Sequence, residues 1–136
     1  MKKHLLLFCG LFTGSVMAQT VFINEDFNSG SLPTGWSIQT SATDGGYNFG
    51  SATSLSSQYF AIADNGSNIA ATNDDDCNCD KSEDILMSPP VNLSTQNSVF
   101  VQFDAFYFEG TYNGVTEVAE LVATNDQGTT WTSLKT

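Results

Sequence analysis

Residues 98–108 show the clearest alternation of side chains in the chain. One face carries Val99, Val101, Phe103, Ala105 and Tyr107, and the other carries Phe100, Gln102, Asp104, Phe106 and Phe108. Because successive side chains of a strand point to opposite faces, this run is apolar on one side and half apolar on the other. The pattern predicts a central strand of a two-layered sandwich, covered on both faces over part of its length.

Shorter apolar runs, separated by turn residues, predict further strands along the chain. They cover residues 21–27, 36–38, 47–49, 58–63, 68–72, 85–87 and 115–124. Residues 51–57 are interpreted as a polar loop and residues 73–83 as an acidic loop, and no segment shows a convincing helical period. Many short strands joined by turns predict a single all-β domain, an antiparallel sandwich of the jelly-roll type.

The first 18 residues have the layout of a secretory signal. A positive start with Lys2 and Lys3 precedes an apolar core over residues 5–12, and Val16-Met17-Ala18 resembles a cleavage site. This segment is too short to cross a bilayer as a helix. We therefore expect export, cleavage after Ala18, and a mature domain over residues 19–136 that is secreted or at the cell surface and is not transmembrane.

Removal of the signal makes the chain strongly acidic. Loss of Lys2 and Lys3 from the four basic residues leaves two lysines against 15 acidic residues, a net charge of −13, with no arginine and no histidine. So few cations cannot neutralise nucleic-acid phosphates. The usual general base for a serine or cysteine nucleophile is also missing. We expect a protein that is not an enzyme and does not bind nucleic acid.

Loop carboxylates are the natural ligands of a hard cation, and Ca²⁺ is the cofactor that this composition favours. The alternative for each acid is that it is a solvated surface residue that binds no cation. Asp104 differs because an acid in a mostly apolar strand must be paired, hydrogen-bonded or bound to a cation. The candidate calcium ligands, not all of which are needed, are Glu25, Asp26, Asp44, Asp74, Asp75, Asp76 and Asp104.

Two cysteines, Cys77 and Cys79, remain after signal cleavage. In an oxidising compartment they are expected in disulfides, either with each other in a small loop or with a cysteine elsewhere. A soft-metal site is disfavoured, because the sequence around them provides neither histidine nor further cysteine.

Residues 124–131, TNDQGTTW, match the Asp-box pattern S/T-x-D-x-G-x-T-W. In such a hairpin Asp126 bonds turn amides, Gly128 allows a positive φ and Trp131 packs back onto the turn. Propellers repeat this motif in every blade, whereas this chain has one copy. We interpret it as a structural hairpin.

Three segments in order resemble the MAM domain and its bacterial relatives, the cleaved-adhesin domains of gingipain-type proteins. They are NEDFNSG with the following LPTGW at residues 24–36, DILMSPPVNL at residues 84–93, and residues 101–131 with the Asp-box. The resemblance implies a jelly-roll sandwich, often with bound calcium, that serves as an adhesion or recognition module for an extracellular protein or glycan. Bacterial members often use type IX secretion. Asn28 departs from the family, where an acid is common.

Sandwiches of this family usually continue for several strands beyond the Asp-box. We therefore expect residues 19–136 to be the N-terminal portion of a longer protein, incomplete at the C-terminal end, with the remainder of its own chain as a partner. The alternative function is an accessory domain of a secreted peptidase or glycosidase whose catalytic part lies beyond residue 136.

Overall fold

The computed structural model describes residues 19–108 and 110–135, so the signal segment predicted at residues 1–18 lies outside the described residues. Strands dominate, and each helix is four residues long. In chain order the elements are β1 Ser37–Gln39, β2 Asn48–Ser51, α1 Ala52–Leu55, β3 Asn68–Ala71, α2 Asp74–Cys77, β4 Ile85–Met87, β5 Thr111–Tyr112, β6 Val115–Thr116, β7 Leu121–Ala123 and β8 Thr132–Lys135.

The strands form small antiparallel pairs, so the chain is β-rich as the sequence predicts. Two pairs, β1 with β4 and β2 with β3, join segments distant in sequence; Ile38 lies opposite Leu86, and Phe49 opposite Ala70. The other two pairs, β5 with β6 and β7 with β8, are local hairpins. A closed sandwich is not formed by the residues that are described.

The local hairpins follow from turn chemistry. Asn113 and Gly114 between β5 and β6 have φ of 50° and 82°, the two positive values that a type I′ turn requires. Gln127 and Gly128, between β7 and β8, also have positive φ, 60° and 87°. These positive φ values come from residues within each connection, so the turns that begin the hairpins are local.

Packing is concentrated around the first three strands. The ring of Phe27 lies 5.3 Å from that of Trp36 in an edge-to-face arrangement and 6.0 Å from that of Phe49. The Ser51 side chain caps α1 by accepting a hydrogen bond from the Ser54 N–H, and Ala52 in this helix is 1% exposed. In the described part of the chain Ala52 is the one fully buried hydrophobic residue, so the apolar core is small.

The prediction of a central strand over residues 98–108 is wrong. This segment has no strand assignment, and its aromatic side chains are exposed, Phe100 by 83%. Phe106 still contacts Phe60, with ring centroids 5.6 Å apart. A strand requires a neighbour for its backbone donors and acceptors. In the described part of the chain this segment belongs to none of the four strand pairs, so its alternation alone does not make a strand.

Two other predicted strands, residues 21–27 and 58–63, are also absent. At the first, the Glu25 side chain accepts the Phe27 N–H at 2.8 Å, and Phe27 has a φ of 57°, which breaks an extended run. At the second, the Ser57 N–H donates to the Phe60 carbonyl at 2.9 Å and closes a turn. Local hydrogen bonds thus replace the ladder at both places.

The two predicted loops contain helices instead. Residues 51–57 include α1, where the Ser51 cap offsets the low helix propensity of its polar residues. Residues 73–83 include α2, whose first turn holds three acids, the place where a helix dipole favours negative charge. In the described part of the chain, neither helix approaches the length and apolarity that a membrane crossing needs.

Candidate functional site

A buried polar cluster connects the two long-range strand pairs around Asp84. Thr40, after β1, and Thr72, after β3, donate their hydroxyls to its two carboxylate oxygens, Thr72 at 2.6 Å. The ammonium of Lys81 lies 3.6 Å away, and the side chains of Lys81 and Asp84 are 8% and 1% exposed. A buried carboxylate needs this combination of donors and positive charge. The cluster therefore fixes β1, β3 and the start of β4 relative to one another.

Lys81 carries this network to Asp44. Its Nζ lies 2.5 and 2.6 Å from the two carboxylate oxygens of Asp44 and donates to the Gly46 carbonyl at 3.0 Å. The hydrogen bond from Lys81 is the main cause that lowers the pKa of Asp44 below its usual 3.8. Gly46 has a φ of +83°, and a Cβ there would lie 2.9 Å from Cβ of Thr40, so this loop conformation suits glycine.

Tyr47 is a further titratable group beside this cluster. Its side chain is largely withdrawn from water, and this burial raises the pKa of the phenol above 10.0, with the charge of Asp84 as a second cause. Both effects favour the neutral phenol, because a phenolate would lose hydration and face a carboxylate.

A cleft of about 310 Å³ opens beside Asp44. Its lining combines oxygen-bearing side chains with a few apolar ones: Asp44, Asn48, Asn73, Asp76, Leu55, Ala71 and Cys77. The Asn73 amide nitrogen donates to the Leu55 carbonyl at 3.2 Å, while its Oδ1 is buried and has no hydrogen-bond partner among the described residues. Carboxylate and amide oxygens are the donor set of a hard cation such as calcium.

The cysteines lie at the same place. Cys77 ends α2, Asn78 adopts the left-handed conformation, and a disulfide joins Cys77 to Cys79 across a Cα–Cα distance of 5.2 Å. Of the two pairings that the sequence leaves open, the structure thus shows the small loop. The Cys79 sulfur lies 3.9 Å from Oδ1 of Asp44, a contact without a hydrogen bond, because a disulfide sulfur carries no proton.

The seven acids predicted as calcium ligands do not converge on one point. Asp44 and Asp76 share the cleft, whereas Asp74 and Asp75 are exposed in the first turn of α2. Within the residues that are described, the one cluster of three potential metal-binding side chains is Asp44, Cys77 and Cys79, and no three carboxylates come equally close.

Glu25 and Asp26 lie along a separate, more open cleft of about 430 Å³ with Ser29, Ser31 and Thr34. Their carboxylates are engaged locally: Glu25 accepts the Phe27 N–H, and Asp26 accepts both the backbone and the side-chain N–H of Asn28. The backbone hydrogen bond from Asn28 is the main cause that lowers the pKa of Asp26.

Asp104 is exposed in the segment without strand structure. The sequence argument that it must be paired or bound assumed a buried strand, and that assumption is wrong. In water its charge needs no partner.

The Asp-box residues form a hairpin turn between β7 and β8. The Asp126 carboxylate accepts the Thr130 N–H at 2.9 Å, the Thr130 hydroxyl at 2.6 Å and the Thr124 hydroxyl at 2.7 Å. These bonds, led by the Thr130 hydroxyl, lower the pKa of Asp126 to about 2. A Cβ on Gly128 would lie 3.2 Å from the Trp131 ring and 3.6 Å from the Met87 side chain, so the turn packs on β4.

Lys81 and Asp84 are the central residues of the cluster, and sequence reasoning did not predict that they pair. Asp84 directly precedes an apolar strand and lies three residues after Lys81, one of two lysines beyond the signal segment. An acid that directly precedes an apolar run, with a lysine three residues earlier, is the signal that could have indicated this ion pair. The hydroxyl donors Thr40 and Thr72 have no comparable signal, because only folding brings them close.

These observations define a β-rich, acid-rich chain with a cystine-closed acidic loop against a buried ion-pair cluster. No family model, curated protein or solved structure matches this chain.

Proposed function

We propose that this chain is a non-catalytic, calcium-supported recognition module of an exported bacterial protein. The observation that carries the proposal is the cleft beside Asp44, a space of about 310 Å³ whose lining includes four residues with side-chain oxygens: Asp44, Asp76, Asn48 and Asn73. Calcium takes six to eight oxygen ligands, some from backbone carbonyls and water, and loops supply such ligands readily.

The charges around the cleft favour a divalent cation. Asp74, Asp75 and Asp76 occupy one helical turn next to it, and among the described residues Lys81 is the one cation in contact with Asp44. The buried, unpartnered Oδ1 of Asn73 would gain a partner from a bound ion. Lys81 retains the Gly46 carbonyl and Asp84 as neighbours when one oxygen of Asp44 turns toward the cation.

Thermal unfolding with calcium and with a chelator tests the metal. Extracellular calcium modules bind with Kd of about 10⁻⁴ to 10⁻³ M. At about 100 times Kd, binding stabilises a folded chain by about 2.7 kcal/mol. Asp76→Asn is expected to reduce this gain, while Asp80→Asn, which removes an equal charge from an exposed residue bonded to Ser82, is expected to preserve it. An identical melting temperature in calcium and chelator would contradict the proposal.

The resemblance to MAM-like and cleaved-adhesin domains supports the rest of the proposal. It implies a jelly-roll architecture and a ligand class, an extracellular protein or glycan. Binding of immobilised glycans and matrix proteins in calcium, lost in chelator, is the expected result. Screens without any calcium-dependent ligand would leave a spacer without recognition and would overturn this part.

Two further parts have separate tests. Export predicts that mass spectrometry of the secreted protein finds Gln19 as the first residue, and retention of Met1 would contradict it. A non-catalytic role rests on the lack of histidine and arginine after residue 18. Turnover of peptide or glycoside substrates by the purified chain would refute it and favour an enzyme.

A further inference from the structure

The disulfide loop and Asp44 together suggest a second kind of site. Sγ of Cys77, Sγ of Cys79 and a carboxylate oxygen of Asp44 all lie within 4.8 Å of one another. Two sulfurs and one carboxylate oxygen form a donor set for a borderline or soft cation, which differs from the all-oxygen set that calcium prefers. We propose that reduction of the Cys77–Cys79 disulfide converts this cluster into a zinc-binding site.

The distances require little movement apart from opening the disulfide. With Zn–S of about 2.3 Å and Zn–O of about 2.1 Å, a tetrahedral site separates sulfur from oxygen by about 3.6 Å and sulfur from sulfur by about 3.8 Å. The Cys79 sulfur already lies 3.9 Å from Oδ1 of Asp44. The two sulfurs must move apart from their bonded distance. Cys77 is the last residue of α2, both cysteines are half-buried, and Asn78 between them is exposed.

Asp44 distinguishes the proposed site from a short peptide that contains two cysteines, because the third ligand is supplied by the folded chain. Asp44 comes from a loop 33 residues before Cys77, and its position is fixed by Lys81 and by the Gly46 N–H, which donates to Oδ1 at 3.1 Å. The folded chain therefore presents the third ligand already in place, which reduces the entropic cost of binding. Asp76, which lines the same cleft, or water completes the fourth position.

The chemistry balances with a reductant of the thiol or phosphine class. A phosphine and one water reduce the disulfide, giving the phosphine oxide and two thiols, so two electrons and two protons reach the sulfurs. On binding Zn²⁺, each thiol releases its proton to solvent, and two thiolates and the Asp44 carboxylate then face the cation. In the oxidised chain the sulfurs lack this donor capacity.

Lys81 opposes the metal. Its ammonium lies 2.5 Å from Oδ1 of Asp44 and must release that oxygen when zinc binds. Removing the ammonium is expected to tighten zinc binding, whereas removing the carboxylate is expected to weaken it. General attraction to the acidic loop would give the same two signs through net charge alone. A site that includes Asp44 is therefore distinguished by comparing Asp44→Asn with a variant that removes an equal charge outside the cluster.

The test uses the full chain with Cys9→Ser, so that Cys77 and Cys79 are the only thiols, reduced by a phosphine without oxygen. Cobalt(II) serves as the probe, because thiolate ligands give sulfur-to-cobalt charge-transfer bands, and zinc then displaces it. We expect one metal ion per reduced chain and no such bands in the oxidised chain. We expect Asp44→Asn to weaken zinc binding at least about tenfold. The matched control Asp80→Asn removes the same charge outside the cluster and should change the affinity less than about threefold.

A gain-of-function variant keeps the test independent of folding losses in Asp44→Asn. Asp44→Cys places a third sulfur at the same point, and the charge-transfer absorbance per bound cobalt should rise by about half. Equal affinities for Asp44→Asn and Asp80→Asn, or charge-transfer bands unchanged by Asp44→Cys, would overturn the proposal. So would lack of metal binding by the reduced chain. Calcium binding is measured on the oxidised chain, so failure of either site does not decide the other.

Discussion

Lys81→Met is the most informative single change in the buried cluster. It leaves the carboxylate of Asp84, whose side chain is 1% exposed, without the cation 3.6 Å away, and it removes the partner of Asp44. Loss of one partner from a buried ion pair costs about 3–5 kcal/mol. The hydroxyls of Thr40 and Thr72 still donate to Asp84, which places the expected cost near the lower end, about 3 kcal/mol.

Urea denaturation, read as the change in midpoint at constant slope, measures this cost directly. For a chain of this length 3 kcal/mol corresponds to a melting temperature lower by about 12 °C. The matched control is Lys135→Met, the same substitution at an exposed position of β8, with an expected change within about 0.5 kcal/mol. Added salt should alter the difference little, because a buried pair is weakly screened.

The double variant Lys81→Met, Asp84→Asn completes a thermodynamic cycle. Asparagine keeps the shape of the side chain and its acceptor oxygen, and it carries no charge that needs Lys81. The loss of unfolding free energy in the double variant should therefore be smaller, by about 2 kcal/mol, than the sum of the losses in the two single variants. A cost below 1 kcal/mol for Lys81→Met, or strict additivity in the cycle, would refute the inference that this buried ion pair contributes to the stability of the fold.

Three further changes test the local structure. The pKa of Asp126 is about 2 in the fold against 3.8 when unfolded, so its charge stabilises the fold above pH 3.8, and this stability is lost as pH falls through 2. In acid denaturation, Asp126→Asn should lose less stability over this pH range than the parent chain. An acid profile unchanged by the substitution would contradict this role of Asp126. The Tyr47 phenol stays neutral in the fold while the unfolded phenol ionises from pH 10.0, so the free energy of unfolding falls as pH rises above 10. Tyr47→Phe should reduce this alkaline loss of stability, measured by urea midpoints. An equal loss in the variant and the parent chain would refute burial of this phenol. Gly128→Ala adds the strain of a left-handed residue, about 1–2 kcal/mol, and a close contact of the new Cβ with Trp131, so it should be the more destabilising of two glycine variants. Gly45→Ala is the control, because it adds the same kind of strain in open space. Equal urea midpoints for the two variants would show that the contact with Trp131 is absent.

Four of the short apolar runs were well predicted as strands. Strands occur at or within two residues of the runs predicted at residues 36–38, 47–49, 68–72 and 85–87. The prediction failed at residues 21–27 and 58–63, where local hydrogen bonds form instead, and at residues 98–108, where the alternation is strongest. Alternation describes which faces a strand would present, but a strand exists only where another segment supplies its hydrogen bonds.

The candidate site shows the same division. The sequence alone predicted seven acids as candidate cation ligands, and two of them, Asp44 and Asp76, line one cleft. It did not indicate that Lys81 would occupy Asp44, or that the carboxylate of residue 44 would reach the cysteine loop. Such contacts depend on chain segments more than 30 residues apart, and residue spacing carries no information about them.

The sequence by itself determined the features that a few neighbouring residues settle: the Asp126 hairpin, the glycine turns, the acidic charge and the short distance between the two cysteines. Tertiary structure decided which strands pair, that Asp84 is buried between Thr40 and Thr72, and that Asp44 faces the disulfide. The physical reason is the range of the forces involved. Turn geometry depends on the backbone angles and hydrogen bonds of four or five residues, whereas burial and strand pairing depend on surfaces that meet only after the chain has folded.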